Sequence, residues 1–349
     1  MLEAKLKFFD INKCGFYRRA GVVPEFGGIS DILDNLVTWA SDGREFVNTT
    51  TYQRDPDNDL LDTYFYSSSN SSAHSDRVVV LWNESPNDNG TLYGINPMDR
   101  PGASTSMLST DFGGVPAIPG APSYFWFIPE RKVFASIRFD HSISGKSNLD
   151  HYLNGFLSNK SPQRVVNEAD DVIGFTADGR PHDDAPTIYP KFLARAKKQE
   201  ELESELLANL HKIRKIIKRE TLSYQTLDDR PFFERVFSEL LDNTPSFIDL
   251  RTITHELQYQ PSEAELRAII HNYHNKDSDS SIRNTGFVYN DGKVVMLNGM
   301  NIQQSIELNV DRYENHIVAP ADLLTAITAN RAQYLSILGS NADETSSND

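Results

Sequence analysis

The sequence predicts an α+β fold: an N-terminal lobe built on a mixed β-sheet, an α+β C-terminal lobe, and a long charged helix joining them. Three observations carry this reading. Aromatic and β-branched runs separated by turn residues fill the first half, most clearly in SYFWFIPERKVFASIRF at 123–139. After residue 226, runs with apolar residues three and four apart mix with alternating, strand-like runs. Between them, 191–220 carries nine Lys or Arg against five acids, a net of +4 in a chain of formal charge −15.

The elements follow in order. Residues 6–11 and 16–19 read as short strands around a turn at 13–15. Ile29, Ile32, Leu33, Leu36, Val37 and Trp39 fall near helical spacing, with Gly28 or Ser30 as cap. Residues 63–67 and 77–84 read as strands across a Ser/Asn-rich turn. The Gly-, Pro-, Asn- and Asp-rich stretch 86–122 reads as a long connection. Residues 124–128 and 132–139 form a hairpin turned by Pro129-Glu130-Arg131; both strands are apolar along most of their length, which places them centrally in a sheet. Residues 147–157 form a helix with Ser147 as cap and Leu149, Tyr152, Leu153, Phe156 and Leu157 as its stripe. Residues 172–176 read as a strand.

The polar, Pro-rich stretch 177–190 marks a boundary. The expected domains are a β-rich 1–185, a charged helical connector 186–225, a mixed α+β 226–339, and a disordered acidic tail 340–349. Within the second half, 230–241 reads as a helix opened by Pro231. Ile253, His255, Leu257 and Tyr259 alternate as a strand, and 261–275 reads as a helix with Ser262 and Glu265 spaced as a capping box. Asn290-Asp291-Gly292 turns a hairpin, 305–311 alternates again, and 320–338 is a final helix.

Composition bounds the function. With 349 residues, 39% hydrophobic and 10% aromatic, the chain can bury full cores in two domains. The single cysteine, Cys14, excludes an intramolecular disulfide and an all-cysteine metal site, and fits a reducing compartment. No signal-peptide pattern opens the sequence, and no apolar run approaches the roughly 20 residues that cross a bilayer. A cytoplasmic protein is expected. The acidic balance argues against coating nucleic acid with the whole surface but leaves room for a local basic patch, since screening confines each charge's field to about 10 Å.

The basic segment has two readings. Acids at 200–205 followed by bases at 212–219 complement a helix macrodipole, about 0.3–1 kcal/mol for each well-placed charge, and so describe a solvated face. Lys191, Arg195, Lys197 and Lys198 precede the acids, where the dipole does not favour them. The stripe Leu202, Leu206, Leu210, Ile213 and Ile217 suits an antiparallel partner helix, hence a homodimer. Lys212, Arg214, Lys215, Lys218 and Arg219 can track phosphates without reading sequence. These nine bases are the candidate DNA-binding residues, and DNA bound without sequence preference is the candidate ligand. Arg18 and Arg19, beside Phe16 and Tyr17, either extend that surface or are ordinary strand-end charges.

Other constellations fall short of a reaction. His271 and His274 share a helix face with Asp277 and Asp279 nearby, but there is no HExxH pattern and no third ligand, so no metal is assigned. His255 and Glu256, neighbours on a strand, face opposite ways. Glu130-x-Lys132 echoes a restriction-type nuclease pair, here at a hairpin turn. Gly145-Lys146-Ser147 echoes a phosphate loop but lacks the upstream glycine, position 140 being Asp140; a helix N-terminus there can still hold an anion. No catalytic residue, cofactor or small-molecule substrate is assigned.

The order of elements resembles the RexA-type phage-exclusion proteins and the related KwaB-type defence component. The resemblance is carried by Gly15-Phe16-Tyr17-Arg18, the helix ISDILDNLV, the hairpin SYFWFIPERKVFASIRF leading into SNLDHYLNGFL, the pair FVYNDGKVVML, and SIELNVDRYENHIVAP with the terminal helix. It spans most of 6–338 as a pattern of elements, without a signature peptide, and the charged segment 191–220 has no counterpart in it. The resemblance implies a cytoplasmic sensor or effector of abortive-infection-type phage defence that binds DNA non-specifically, self-associates as a homodimer and signals to a small membrane-protein partner. The alternatives are a metal-dependent nuclease using Glu130 and Lys132, and a protein-interaction module whose acidic body mimics DNA.

Overall fold

A computed structural model describes residues 1–54, 61–85, 93–95, 97–102, 116–140, 142–222, 251–275, 282–310 and 317–338. The elements run β1 (Leu2–Arg18), α1 (Ile29–Ser41), β2 (Thr63–Asn70), β3 (Arg77–Glu84), β4 (Tyr93–Ile95), β5 (Ile118–Ile128), β6 (Val133–Arg138), α2 (Lys146–Asn159), β7 (Arg164–Val166), β8 (Val172–Phe175) and β9 (Ile188–Ala196). They continue with α3 (Glu200–Ala208), β10 (Ile213–Leu222), β11 (Arg251–Gln258), α4 (Glu263–Asn275), β12 (Ile282–Tyr289), β13 (Val294–Met296), β14 (Gln303–Leu308), α5 (Pro320–Ala329) and α6 (Arg331–Ser336). The α+β class stands. The chain forms two compact units, one of Met1–Lys197 with Ile302–Asp349, the other of Lys198–Asn301.

The first unit is an antiparallel sheet ordered β14-β1-β6-β5-β3-β2, with β4 on β5 and β9 on β1. Helices cover both of its faces. Period-two alternation sends Leu6 and Phe8 of β1, Trp82 of β3, and Tyr124, Trp126 and Ile128 of β5 into one core, closed by Leu323 and Ile327 of α5 and by Tyr334 and Leu335 of α6. It sends Phe9, Phe125, Phe127 and Phe134 into the other, closed by Ile32, Leu33 and Leu36 of α1 and by Leu149, Leu153 and Phe156 of α2. Two-sided burial is why the β5–β6 hairpin reads apolar along most of its length. Each such side chain contributes about 1.5–3 kcal/mol.

β1 is one strand where two were expected. Asn12 sits in a bulge between Ile11 and Lys13, and the strand continues to Arg18. Gly15 adopts φ +134° because the chain at Phe26 and Gly27 passes against it, and a side chain there would collide with the Gly27 carbonyl. A close approach, not a turn, requires that glycine. The α2 helix begins with Gly145 in the left-handed region and no side-chain cap, in place of the expected Ser147 cap.

The outer edge of β1 carries two strands in tandem. β14 pairs with Leu2–Lys7 and β9 with Phe9–Arg18, both antiparallel to β1. At the junction, Lys197 N donates to Phe8 O at 2.9 Å and Phe8 N donates to Ile302 O at 3.0 Å. β9 and β14 are therefore two halves of one edge strand, interrupted by residues 198–301. Ile302 N donates to Lys197 O at 2.8 Å, and Lys198 bridges Asn301. The far edge of β9 is closed by the Asn154 side chain, whose amide donates to Phe192 O at 3.0 Å and accepts from Phe192 N at 2.9 Å.

The second unit is a four-stranded antiparallel sheet ordered β11-β10-β12-β13. Leu206 of α3 and Leu266 and Ile270 of α4 pack against Ile213, Phe287, Tyr289 and Val295. The capping box forms: Ser262 N and Oγ–H each donate to Glu265 Oε2 at 2.8 Å, and Glu265 N donates to Ser262 Oγ at 3.3 Å. Hydrogen bonds from the Tyr259 hydroxyl and from Ser262 hold the Glu265 carboxyl down at about 2. Gly292, at φ +84°, turns the β12–β13 hairpin as its sequence indicates.

Several expectations are corrected. The long charged helix at 191–220 is a strand, a nine-residue helix, a 3-10 turn (Leu210–Lys212) and a second strand. Ile213, Ile216, Ile217 and Thr221 are β-branched; β12 pairs with Ile213, β11 with Thr221, and both strands flank Ile216 and Ile217. The helical spacing of Leu206, Ile213 and Ile217 is coincidental: the bulge at Arg214 puts Ile213 and Ile217 on opposite faces of β10. The boundary expected at 185 falls inside the first unit, because β9 returns to β1 after the polar stretch. The boundary expected at 225 falls inside the second unit, and β14, α5 and α6 rejoin the first. The final helix breaks at Asn330 into α5 and α6. The helix expected at 230–241 and the tail at 340–349 lie outside the described residues.

A buried ion-pair network ties α6 to the sheet. Asp76 is 1% exposed and accepts two hydrogen bonds from Arg331, at 2.8 and 3.0 Å, and one from Trp126 Nε1 at 2.9 Å. Arg331 also pairs with Glu130. Removing one partner strands the other without solvent. Arg331→Met is expected to cost about 3–5 kcal/mol in urea denaturation, and pairing it with Asp76→Asn to recover much of that loss.

Candidate nucleic-acid interface

The nine candidate bases divide between the units. Lys191, Arg195 and Lys197 belong to the first; Lys198, Lys212, Arg214, Lys215, Lys218 and Arg219 belong to the second. On β9, Phe192 and Ala194 point into the core, so Lys191 and Arg195 share the outward side and are exposed. Lys197 pairs with Asp10 at 2.8 Å.

On β10 the register fixes the faces. Ile213 and Ile216 stand beside Tyr289 and Phe287 on the helix-covered face, and Lys218, opposite Thr285 and His255, shares it. Lys215, Ile217 and Arg219 stand on the other face, beside Val288, Gly286 and Asn284. Arg219 is exposed. Lys215 Nζ reaches Glu256 Oε2 at 3.1 Å, both side chains being more than one-third exposed. A pair so open to water holds its partners by at most about 1 kcal/mol, so a phosphate can displace the carboxylate. Arg214 belongs to the bulge: its Nη1 donates to the carbonyls of His211 and Ile213 at 3.0 Å and to Gln260 Oε1 at 3.2 Å. Lys212 sits in the 3-10 turn, and Lys198 lines a pocket of about 420 Å³ with Glu203, Arg267 and His271. Lys215 and Arg219 therefore share one face of β10, and Lys191 and Arg195 one face of β9, each pair about 13 Å apart along its strand.

The remaining constellations fall as follows. Glu130 and Lys132 lie in and just after the 3-10 turn between β5 and β6, with Glu130 paired to Arg331 and Lys132 left-handed at φ 49°. Among the described residues no group of three or more His, Cys, Asp or Glu could hold a metal ion; His271 lies on α4, and Asp277 and Asp279 fall outside those residues. Arg18 is held by Asp184 at 2.9 Å and Glu25 at 3.4 Å. No helix among the described residues is long and apolar enough to cross a membrane.

Sequence reasoning missed one basic cluster. Lys7 of β1 and Lys146 at the start of α2 both lie over the Phe9 ring, 5.4 and 5.5 Å from its centroid. Burial, then the charges of Lys146 and Lys5, lower the Lys7 pKa. Burial lowers that of Lys146 too, against the pull of Asp150, with which it pairs. The signal was present: on a strand, Lys5, Lys7 and Phe9 share a face.

Cys14 is buried, and burial pushes its thiol far above the ordinary range. It is expected to resist a disulfide-exchange reagent in the native protein and to react fully in denaturant; fast native labelling would contradict this environment. Compared with known proteins, the chain matches no family model, no curated protein and no solved structure.

Proposed function

We propose that the protein binds DNA without sequence preference through Lys215 and Arg219 on the face of the β10 sheet that α3 and α4 do not cover. The supporting observation is the β10 register: strand alternation puts two cations on the face away from α3 and α4, about 13 Å apart along the strand with Ile217 between them. Two cations on a rigid strand neutralise phosphates and release counterions without touching base edges. Lys191 and Arg195 offer a second, smaller contact of the same kind on the other unit. A role as an abortive-infection-type phage-defence sensor, with a homodimeric assembly and a small membrane-protein partner, rests on the resemblance in element order alone. The helix stripe that suggested dimerisation lends it nothing further, because Leu206 and Ile213 are spent in their own core.

The test is fluorescence anisotropy with a labelled duplex across a salt titration. Binding is expected to weaken steeply between about 50 and 200 mM salt, and Lys215→Glu with Arg219→Glu to flatten the log–log slope by about 2. Absence of binding at low salt, or an unchanged slope in the double variant, would overturn the reading.

A further inference from the structure

A second cationic site, in the first unit, stands apart from the β10 face. Lys7 is enclosed between β1, the Phe9 ring and the start of α2, yet its ammonium makes no hydrogen bond or ion pair among the described residues. Lys146 has one carboxylate partner, Asp150. The register adds cations to the same sheet face: Lys5 lies opposite Arg138 and Lys7 opposite Ser136, and both Lys5 and Arg138 are exposed. Lys5, Lys7, Arg138 and Lys146 thus gather on this side beside Asp150, with Glu3 and Glu307 on the same sheet face beyond Lys5, on a chain whose overall charge is −15.

The fold holds this excess in place. Phe9 stacks on Phe134 at 5.0 Å, so one ring face is occupied and the ring is fixed beneath the two ammoniums. Gly145 lets the α2 terminus press on Ser123, where any side chain would collide. That terminus carries no side-chain cap, and α2 runs for 14 residues. Its first-turn N–H groups and its dipole therefore favour an anion beside Lys146.

We propose that Lys7 and Lys146, with the N-terminus of α2, bind a phosphate group. Two ammoniums over one aromatic ring, beside a helix start, suit the charge of a phosphate. Asp150 is the internal competitor; burial raises its pKa, against the pull of Lys146. Burial disfavours the charged form of Lys7 and Lys146, and the charge of Lys146 adds to this at Lys7; an anion beside them offsets both. The phosphate can belong to a nucleotide or to a nucleic-acid backbone.

The experiment is thermal denaturation and titration calorimetry of the full chain with inorganic phosphate, against sodium chloride at matched ionic strength. Phosphate is expected to raise the melting temperature where chloride does not. Lys7→Met keeps the stem and removes the unpaired charge, so it is expected to leave the ligand-free protein as stable as the parent or more so, and to weaken phosphate binding by about tenfold or more. Lys146→Gln is expected to weaken it likewise. The Lys215→Glu, Arg219→Glu variant is expected to keep the phosphate response, which separates this site from the β10 face. ADP and a short DNA oligonucleotide, each competing against phosphate, identify the source of the group. A phosphate response no larger than that of chloride, or one that survives intact in both lysine variants, overturns the proposal.

Discussion

The fold depends on the backbone ladder of β1. This one strand pairs with β6 along one edge and with β14 and β9 in succession along the other, so it joins the two halves of the interrupted edge strand to the rest of the sheet. Its alternation divides Phe8 from Phe9 and so feeds both hydrophobic cores. Both helical layers are positioned by that division. The bulge at Asn12 preserves it: one extra residue resets the alternation so that Cys14 and Phe16 return to the core that Phe9 entered.

Much of this architecture was legible. Period-two runs and turn chemistry located β2, β3, β5, β6 and the β12–β13 hairpin, and the Ser262–Glu265 spacing located the start of α4. What misled was the segment 191–220. Its Glu- and Leu-rich middle is a helix, and it lent its period to flanks whose isoleucines and phenylalanine serve strands. Local spacing cannot tell a helical i, i+4 pair from two strand positions separated by a bulge, because both put apolar residues four apart. Tertiary pairing decides: β10 lies between two strands whose register exists only in the folded sheet. The candidate site suffered the same error. Nine cations on one rod became a pair on β10, a pair on β9, and five residues placed singly, some held by the fold itself, as Arg214 is. Lys7 escaped notice because its meaning comes from Phe9 and Lys146, the latter far away in sequence.

Charge is handled differently in different parts of the first unit. Asp76 is buried and fully answered by Arg331 and Trp126, so it acts as a clamp that fixes α6. Lys7 is half-buried over the Phe9 ring and has no counter-ion among the described residues. Folding tolerates the second arrangement only at a cost, since each enclosed charge without a counter-ion weakens the native state. A marginal fold keeps such a cost where something outside the chain relieves it, and that contrast separates a structural ion pair from a receptive one.

The interrupted edge strand sets an order of events during synthesis. Residues 198–301 leave and re-enter at neighbouring backbone positions, Lys197 and Ile302, so their ends are already together when the second unit has formed. Until then β14, α5 and α6 do not exist as chain, and the core face bearing Trp82, Trp126 and Phe8 has no cover. The emerging polypeptide therefore carries an open aromatic sheet while it makes an entire second unit, at about 5–20 residues per second. α5 and α6 close that face, and the Arg331–Asp76 contact forms only after residue 331 has been made. Assembly of this protein is thus a nested process, in which the inner unit can finish before the outer one is able to.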